Sequence, residues 1–505
     1  MRTARPVLMH ASLATLAAAF GYAQPSLAQS ASNFSFTAGD LVVSVEGNGS
    51  NTGTYLDNQA APLTLDEFSL NGTASASLAG SLMLPQTSVA GGNYAVSGEY
   101  GSSSEGTLQL SGNGQYLTIM GYGVNAQTYN STQDPNGTGT ALAQSPNIST
   151  NTSTSQPNVA RVIALIGADG SVNSTTAISN VFNGNNPRSV YTANGTSFYI
   201  AGQGNDDATG GVFYVSNLGA TTATAITGID TNSSKNGSFG QDVRDVQIVN
   251  GQLTASVDSS EGSKSYNIDG IGTLGGAGSL PTKTLNAQPS ILSGIGGTST
   301  NGAIKLNGSN GNSINNTSGE SVYLSPENYY YANSTTLYIA DGGNPKNGSK
   351  GAGNKAPSLG GLQKWSLVNG TWQLDYTLST GLNLVSYTSG ATTGVSGLYG
   401  LTGEVINGQV ELFATSETLG DTDQTYLYGI TDALSDTTAA QAAGESFTTL
   451  EAAAADSTFK GVAFAPVAPV PLPASAWMLL GGLVGLGALT LGRRRQSPGG
   501  GIAAA

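Results

Sequence analysis

The sequence contains no cysteine, and its single histidine, His10, lies close to the amino end. Because His10 lies within residues 1–28, which have the features of a removable signal peptide, the remaining chain would lack the thiolate and imidazole ligands of zinc, copper, iron–sulfur and His-ligated haem sites. Ser-His-Asp and Cys-His catalysis are excluded, because no base is present to activate the nucleophile. Without disulfides the fold has to be stabilised by its core, and 505 residues are enough to bury one. The enzyme classes that remain use carboxylates, lysine, tyrosine or calcium.

Charged residues make up only 10% of the chain, and acidic ones predominate, with 31 Asp and Glu against 17 Lys and Arg. Five arginines lie near the two ends, where no acidic residue occurs: Arg2, Arg5, Arg493, Arg494 and Arg495. The part between them has 12 basic and 31 acidic residues, a formal charge of −19. This charge opposes nucleic acid and anionic lipid, which attract basic surfaces. It is compatible with calcium, with neutral sugars, or with a role in solubility alone.

Residues 1–28 have the three parts of a secretory signal peptide. Arg2 and Arg5 form the basic start, and a mostly apolar stretch runs from Val7 to Phe20. Ser26-Leu27-Ala28 is a small-x-small cleavage site, so we expect cleavage between Ala28 and Gln29 and export of the remaining chain.

The other end combines a proline motif, an apolar run and a basic cluster. The motif Val470-Pro471-Leu472-Pro473-Ala474 precedes about 18 uncharged residues, enough for one helix across a bilayer. The run ends at Arg493, Arg494 and Arg495, which would stay in the cytoplasm. We therefore predict a tail, 467–495, with a single transmembrane helix that anchors the precursor in the inner membrane, and a disordered extension, 496–505.

This tail resembles the PEP-CTERM sorting signal of Gram-negative bacteria in its VPLPA variant, with Trp477 just inside the apolar run. The resemblance implies recognition by an exosortase, a membrane cysteine transpeptidase that cuts near the proline motif. It also implies a final location at the cell surface or in the extracellular polysaccharide matrix. The chain departs from the pattern at Leu472, where an acidic residue is usual, and in the ten residues after the arginines. The alternative is a C-terminal membrane anchor that stays uncut.

The body, 29–466, consists of short runs that alternate apolar and polar residues between clusters of Gly, Asn and Asp. Examples are Leu41–Val45, Phe198–Ala201 and Leu337–Ala340. Period-two alternation rich in β-branched and aromatic residues predicts strands. The pairs Asn250-Gly251 and Asn407-Gly408 are typical of type I′ hairpin turns. Because no long helical period occurs before the tail, we predict an all-β body.

A two-strand unit recurs along this body. Its instances are Phe198–Ala201 followed by Gly210–Val215, Leu337–Gly343 followed by Gly360–Leu367, and Leu412–Thr415 followed by Thr425–Gly429. Repetition at roughly 50–65 residues fits β-propeller blades, and the body length then predicts about seven of them. A pair of β-sandwiches and a β-helix are the alternatives, although a β-helix has shorter and stricter repeats.

The body also resembles a family of secreted, Gly/Thr-rich, propeller-like bacterial proteins of uncharacterised function. The likeness includes Gly39–Val43, Asn185–Ser189, Gly397–Gly403 and Phe459–Pro466, and covers nearly the whole body. It implies the fold but carries no catalytic motif. It also implies that the last strand, within Lys460–Ala465, lies beside the first and closes the ring, which removes exposed sheet edges.

Three groups of residues are candidates for a site. Asp206, Asp207, Asp421 and Asp423 would offer oxygen ligands to calcium, or would only cap turns. Tyr329, Tyr330 and Tyr331, with Trp365 and Trp372, would form an aromatic platform for sugar rings, or part of the core. Asp242, Arg244 and Asp245, with Glu404, would provide the carboxylate pair of a glycosidase, or a surface ion pair.

From these patterns we expect a non-catalytic binding or structural component of the exopolysaccharide matrix, with the exosortase and possible exopolysaccharide as partners and no cofactor besides calcium. The alternative is a carboxylate-dependent glycoside hydrolase or lyase on a propeller scaffold. A third reading is a coat or adhesive component with no discrete site. A buried cluster of acids in the central channel would favour the enzyme, and a channel lined by Ser, Thr and small apolar residues would favour binding.

Overall fold

The computed structural model describes residues 34–47, 55–130, 141–147, 158–206, 208–228, 242–258, 267–295, 297–299, 324–343, 360–385 and 393–469. The predicted signal peptide and the proline motif, apolar run and arginines of the tail lie outside these residues. Within the described ranges, no helix has the length and apolarity needed to cross a bilayer.

Nearly all regular structure is strand. The strands are β1 Leu41–Gly47, β2 Ala60–Asn71, β3 Ser75–Met83, β4 Ser97–Glu99, β5 Gln109–Leu110, β6 Tyr116–Tyr122, β7 Arg161–Gly167, β8 Val172–Ile178, β9 Pro187–Tyr191, β10 Phe198–Gly202, β11 Gly211–Val215, β12 Thr224–Ala225, β13 Val243–Val249, β14 Gln252–Asp258, β15 Asn267–Leu274, β16 Ser290–Ile291, β17 Gly297–Ser299, β18 Pro326–Asn333, β19 Thr336–Asp341, β20 Gly361–Val368, β21 Thr371–Leu378, β22 Val395–Ile406, β23 Gln409–Thr418, β24 Tyr426–Ala433, β25 Thr448–Ala452 and β26 Ser457–Phe464. A one-turn helix, α1, spans Ala126–Tyr129, and two 3-10 turns span Leu142–Gln144 and Ala442–Gly444.

The strands form a propeller-like ring of antiparallel sheets. Four blades are separate sheets, made of β9 to β12, β13 to β17, β18 to β21, and β22 to β25. The first strand of each blade is innermost, since β9, β13, β18 and β22 contact one another in succession, and β26 and β5 complete this inner circle. The predicted all-β propeller is therefore confirmed in its architecture.

The remaining strands form one nine-stranded sheet. Its two groups of strands are joined by β2, which is 12 residues long. Ala60–Pro62 of β2 pair with β4, and the following residues pair with β1 and β3. Because one long strand belongs to both groups, the described residues show four separate blades and this double sheet where the sequence predicted about seven blades.

The ring closes as predicted, by pairing of the last strand with the first. β26 runs antiparallel to β1, with Leu41 opposite Phe464, Val43 opposite Val462 and Gly47 opposite Ser457. The Ala465 amide also donates a hydrogen bond to the Asp40 carbonyl, at 2.8 Å. β2 pairs with the other side of β1, and β26 is the innermost, terminal strand of this sheet.

Tight turns and inner-strand starts lie at opposite ends of the ring. Asn250-Gly251, Asn369-Gly370 and Asn407-Gly408 all have positive φ at both residues, as a type I′ turn requires. These turns follow the strands that begin at the other end. We call that other end, where β9, β13, β18, β22 and β26 begin, the upper face.

Gly461 on β26 provides a test of how tightly the ring is sealed. A methyl group at this position would overlap the backbone of Thr107 and Leu108, which passes directly over the strand. Overpacking of this kind costs about 1–3 kcal/mol, so we expect Gly461→Ala to lower the free energy of unfolding by at least that amount in urea denaturation. Gly444 has no atom within 4 Å of an added methyl group, and Gly444→Ala is the matched control. Equal stability of the two variants would contradict a sealed ring.

Candidate functional site

Two arginines and three carboxyl side chains meet at the upper face, close to the starts of the innermost strands. Arg188 lies on β9, Arg244 on β13 and Glu327 on β18, while Asp242 precedes β13 and Asp258 ends β14. Three successive blades thus each bring charged residues towards the centre of the ring. We call these five residues the arginine–carboxylate cluster.

Arg244 is the centre of this cluster. Its Nε lies 3.0 Å from Asp242 Oδ1, its Nη2 3.2 Å from Asp258 Oδ2, and its Nη1 3.0 Å from Glu327 Oε2. Arg188 Nη2 lies 2.9 Å from the same oxygen of Asp242. The Arg244 side chain is 15% exposed, and its three carboxylate partners are less exposed. One largely buried guanidinium group therefore links two blades.

A serine hydroxyl joins two of the acids directly. Ser325 Oγ lies 2.6 Å from Asp258 Oδ2 and 3.0 Å from Glu327 Oε1, and donates to either. The Ser325 amide donates to Asp341 Oδ1, 3.1 Å away, and Gln363 donates to the other oxygen of Asp341. The polar network therefore continues from the cluster into the blade β18 to β21.

The cluster has more carboxyl groups than arginines. Burial raises the pKa of Glu327 to about 8; Arg244 opposes this shift, while the nearby charges of Glu417 and Asp258 add to it. Burial likewise raises the pKa of Asp341 to about 7. Two guanidinium groups cannot neutralise this many buried acids. Burial therefore favours the protonated form of Glu327.

The structure brings together only some of the residues that the sequence singled out as a carboxylate group. Asp242 and Arg244 belong to the cluster, but the adjacent Asp245 bonds to Ser189 Oγ (2.6 Å) and Gln247 Nε2 (2.8 Å) instead. Glu404 is wrong as a partner, because it lies near the far end of β22, exposed and opposite Glu411. Arg188, Asp258 and Glu327 were missed, since each is a lone charged residue at a strand end and only the ring brings them together.

Of the two interpretations of the aromatic group, a sugar platform or part of the core, the structure shows core packing for Tyr329, Trp365 and Trp372. Tyr329 and Trp365 are each 1% exposed, and they belong to a core cluster between blades. Tyr331 packs edge-to-face against Trp372, with ring centroids 5.9 Å apart. Tyr329 and Tyr331 are two residues apart on a strand, so both point to the same side, and that side faces the core.

Asp206 and Asp423, two of the residues in the predicted calcium sites, stabilise turns. Asp206 Oδ1 accepts from the amide and hydroxyl of Thr209, at 3.1 and 2.9 Å. Asp423 Oδ2 accepts from the amides of Gly394 and Gly420, at 2.7 and 2.8 Å. Asp207 lies outside the described residues, and the described part of the chain holds no group of three or more acidic, His or Cys side chains placed for a metal ion. Calcium binding at Asp206, Asp207, Asp421 and Asp423 stays a prediction.

A cavity of about 670 Å³ opens on the upper face between the first strands and the last blade. Its lining comes from four segments: Tyr55, Leu56, Asp57, Tyr100, Thr422, Asp423, Gln424, Ala454, Ala455, Asp456 and Ser457. The Tyr55 and Tyr100 rings lie 6.4 Å apart. Both rings are mostly buried in a core cluster, 8% and 5% exposed, so they form the apolar floor of the cavity. The carboxylates, hydroxyls and amide around it are groups that bind sugars through hydrogen bonds. We call it the tyrosine–aspartate cavity.

A second acidic group lies behind this cavity. Burial raises the pKa of Glu99 to about 9, and Glu105, Glu46 and Asp57 add to the shift. Glu99 Oε2 accepts from the Ala143 amide, and Glu105 Oε1 accepts from the Tyr122 hydroxyl, both at 2.5 Å. These acids are held by buried donors and do not open into a described cavity.

Comparisons with known proteins leave the family open. No protein-family model and no curated protein matches this chain. Solved structures do match, including a hypothetical selenium-binding protein from Sulfolobus tokodaii, with 7% identity and a TM-score of 0.40, over 87% of this chain and 97% of that one. Another is the computationally designed Ika8 protein, with 10% identity and a TM-score of 0.32, over 84% and 94%. A quinoprotein alcohol dehydrogenase-like protein from Bacteroides thetaiotaomicron has 9% identity and a TM-score of 0.29, over 84% and 91%. Similarities at this level carry no argument about ligand or activity.

Proposed function

We propose that the chain is an exported cell-surface or extracellular-matrix protein, processed by an exosortase, whose propeller binds neutral polysaccharide without transforming it. The tyrosine–aspartate cavity is the observation that carries the binding part. The signal peptide and sorting tail predicted from the sequence support the location. The formal charge of −19 between the ends disfavours anionic partners and leaves neutral sugars as the matching ligand class.

A carboxylate-dependent glycosidase is the second candidate, and the arginine–carboxylate cluster is the observation that favours it. Asp258 and Glu327 are close enough to share the hydroxyl of Ser325, and Glu327 holds the proton that a general acid needs. Both acids are also bound by Arg244, at 3.2 and 3.0 Å. A glycosidase needs one carboxylate free to attack the sugar or to activate water. We therefore favour binding, with the cluster as a structural link between blades.

A steric block of the cavity tests the binding proposal. Thr422 is exposed on the cavity wall, so Thr422→Trp would fill the mouth without disturbing the core. We expect this variant to lose at least about tenfold in affinity for soluble glucan, mannan or galactan, the equivalent of 1.4 kcal/mol. The measurement is calorimetry or affinity electrophoresis with each polysaccharide.

Thr449→Trp is the matched control, because Thr449 is exposed on β25 of the same blade and away from the cavity lining. It should bind as the wild type does. Unchanged affinity in Thr422→Trp would contradict binding in the cavity. Release of shorter sugars by the wild type, abolished in Glu327→Gln, would establish the glycosidase instead.

The location is tested by mapping both ends of the native protein. Mass spectrometry of the cell-envelope and culture-medium fractions should find a chain that starts near Gln29 and ends near Pro471–Ala474. An intact chain that reaches Ala505 in the membrane fraction would rule out exosortase processing and would identify a permanent anchor.

A further inference from the structure

A lysine and an aspartate form a completely buried ion pair between two blades. Lys364 lies on β20 and Asp432 on β24, which belong to neighbouring sheets. Lys364 Nζ is 2.7 Å from Asp432 Oδ2, and both side chains are 0% exposed. Taking two charges out of water costs several kcal/mol per ion. A buried ion pair therefore needs further hydrogen bonds that offset this desolvation cost, or a function that requires it.

The surroundings hold the two groups in one geometry. The hydroxyls of Tyr338 and Tyr376 donate to Asp432 Oδ2 and Oδ1 respectively. Their rings lie 5.6 and 5.3 Å from Lys364 Nζ, which also donates to the Ala433 carbonyl at 2.7 Å. An amine and a carboxyl group are thus oriented against each other in a site shielded from water, the arrangement that makes reactions between bound groups fast.

A second carboxyl group completes the site. Glu445 lies beside the ion pair, because its Oε1 accepts from the amide of Ala433, the residue after Asp432, at 3.3 Å. Burial, together with the hydrogen bond and charge of Asp432, raises the pKa of Glu445 to about 8. This raised pKa favours the protonated form of Glu445, which places a proton donor next to the ion pair.

We propose that Lys364 and Asp432 react after folding to form an isopeptide bond, with Glu445 as the proton carrier. One proton passes from the Lys364 ammonium to the Asp432 carboxylate, which leaves a neutral amine and a carboxylic acid. The Nζ–Cγ bond then forms. Glu445 donates its proton to one Asp432 oxygen and recovers a proton from the nitrogen. The bond from Cγ to that oxygen breaks, and the oxygen leaves as water. Ammonium and carboxylate thereby become a secondary amide and one water molecule, and no oxidant is needed.

The buried site favours the product over the ion pair. A neutral amide removes two desolvated charges, and its remaining groups already have partners. The amide N–H would donate to the Ala433 carbonyl, and the amide oxygen would accept from Tyr338 if Oδ2 is retained or from Tyr376 if Oδ1 is retained. The bond would fasten the blade β18 to β21 to the blade β22 to β25, in a chain that has no cysteine to form a disulfide.

Trypsin digestion of the denatured full-length protein tests this bond. Between Lys355 and Lys460 the only basic residue is Lys364. A modified Lys364 is not cut, so we expect a peptide 356–460 that is lighter than its sequence by one water molecule, with fragment ions that place the link between residues 364 and 432. Separate peptides 356–364 and 365–460 at their full masses would overturn the proposal.

Three variants test separately the isopeptide bond and the role of Glu445 in forming it. Lys364→Gln gives the uncut peptide without the loss of water, and is the mass reference. Asp432→Ala should give the two unlinked peptides. Glu445→Gln keeps the ion pair and should fold, as checked by circular dichroism, but most of it should remain unlinked and be cut at Lys364. Complete linkage in Glu445→Gln would refute the role of Glu445 as proton carrier.

Discussion

Replacing Arg244 with alanine is expected to lower the free energy of unfolding by about 3–5 kcal/mol, the cost of breaking a buried ion pair from one side. Arg244 is the shared partner of Asp242, Asp258 and Glu327, which come from two blades. Its loss would leave these acids close together in a nearly dry site. Urea denaturation followed by tryptophan fluorescence measures the change.

Two further variants show whether the loss of stability in Arg244→Ala comes from the charge and geometry of the guanidinium group. Lys283 is exposed, so Lys283→Ala removes one positive charge away from buried acids and should change stability by less than about 0.5 kcal/mol. Arg244→Lys keeps the charge but cannot bind three carboxyl groups in a plane, so we expect a stability between those of the wild type and Arg244→Ala. If Arg244→Ala is as stable as Lys283→Ala, the cluster does not hold the blades together.

The second large effect is a loss of stability as the pH rises from about 5 to about 8. Burial raises the pKa of Glu99 to about 9, of Glu327 to about 8, and of Asp245 and Asp341 to about 7. In this interval the folded protein keeps protons that the unfolded chain has already released. Stability is therefore fully present below the unfolded pKa of these acids and is lost as the pH passes through the folded values.

The size of the effect follows from the number of groups. Each unit of pKa difference corresponds to about 1.4 kcal/mol, so four such acids predict a fall of several kcal/mol. The melting temperature at pH 5, 6.5 and 8, in one buffer of constant ionic strength, measures it. Glu327→Gln should flatten part of the curve, because an amide has no proton to lose. Stability that rises with pH over this range would contradict protonated acids in the folded state.

The two predictions are linked through the same residues. At pH 5 Glu327 is closer to neutral than at pH 8, so the cost of Arg244→Ala should be smaller at pH 5. A cost that is independent of pH would mean that Arg244 acts through packing of its side chain and not through its charge.

Local patterns in the sequence determined the secondary structure of this protein. Alternation of apolar and polar residues predicted the pairs β10–β11, β19–β20 and β23–β24, and the structure shows each pair as antiparallel neighbours. The pairs Asn250-Gly251 and Asn407-Gly408 predicted hairpin turns, and all four residues have positive φ in the structure. These features depend on residues that are close in the chain, so their physical cause is already contained in a short stretch. The export and sorting signals at the two ends are likewise short motifs, and they stay predictions.

The blade arrangement and the sites were decided only by the tertiary structure. The joint role of β2 in two groups of strands depends on which partners lie beside it, and no local pattern indicates that. Arg244 and Glu327 are 83 residues apart, and Lys364 and Asp432 are 68 apart. Each pair is formed by the packing of two neighbouring blades, which places residues from different sheets side by side. A single charged residue in a strand has the same appearance in the sequence whether it faces water or a buried partner. Its function is set by what the fold places opposite it.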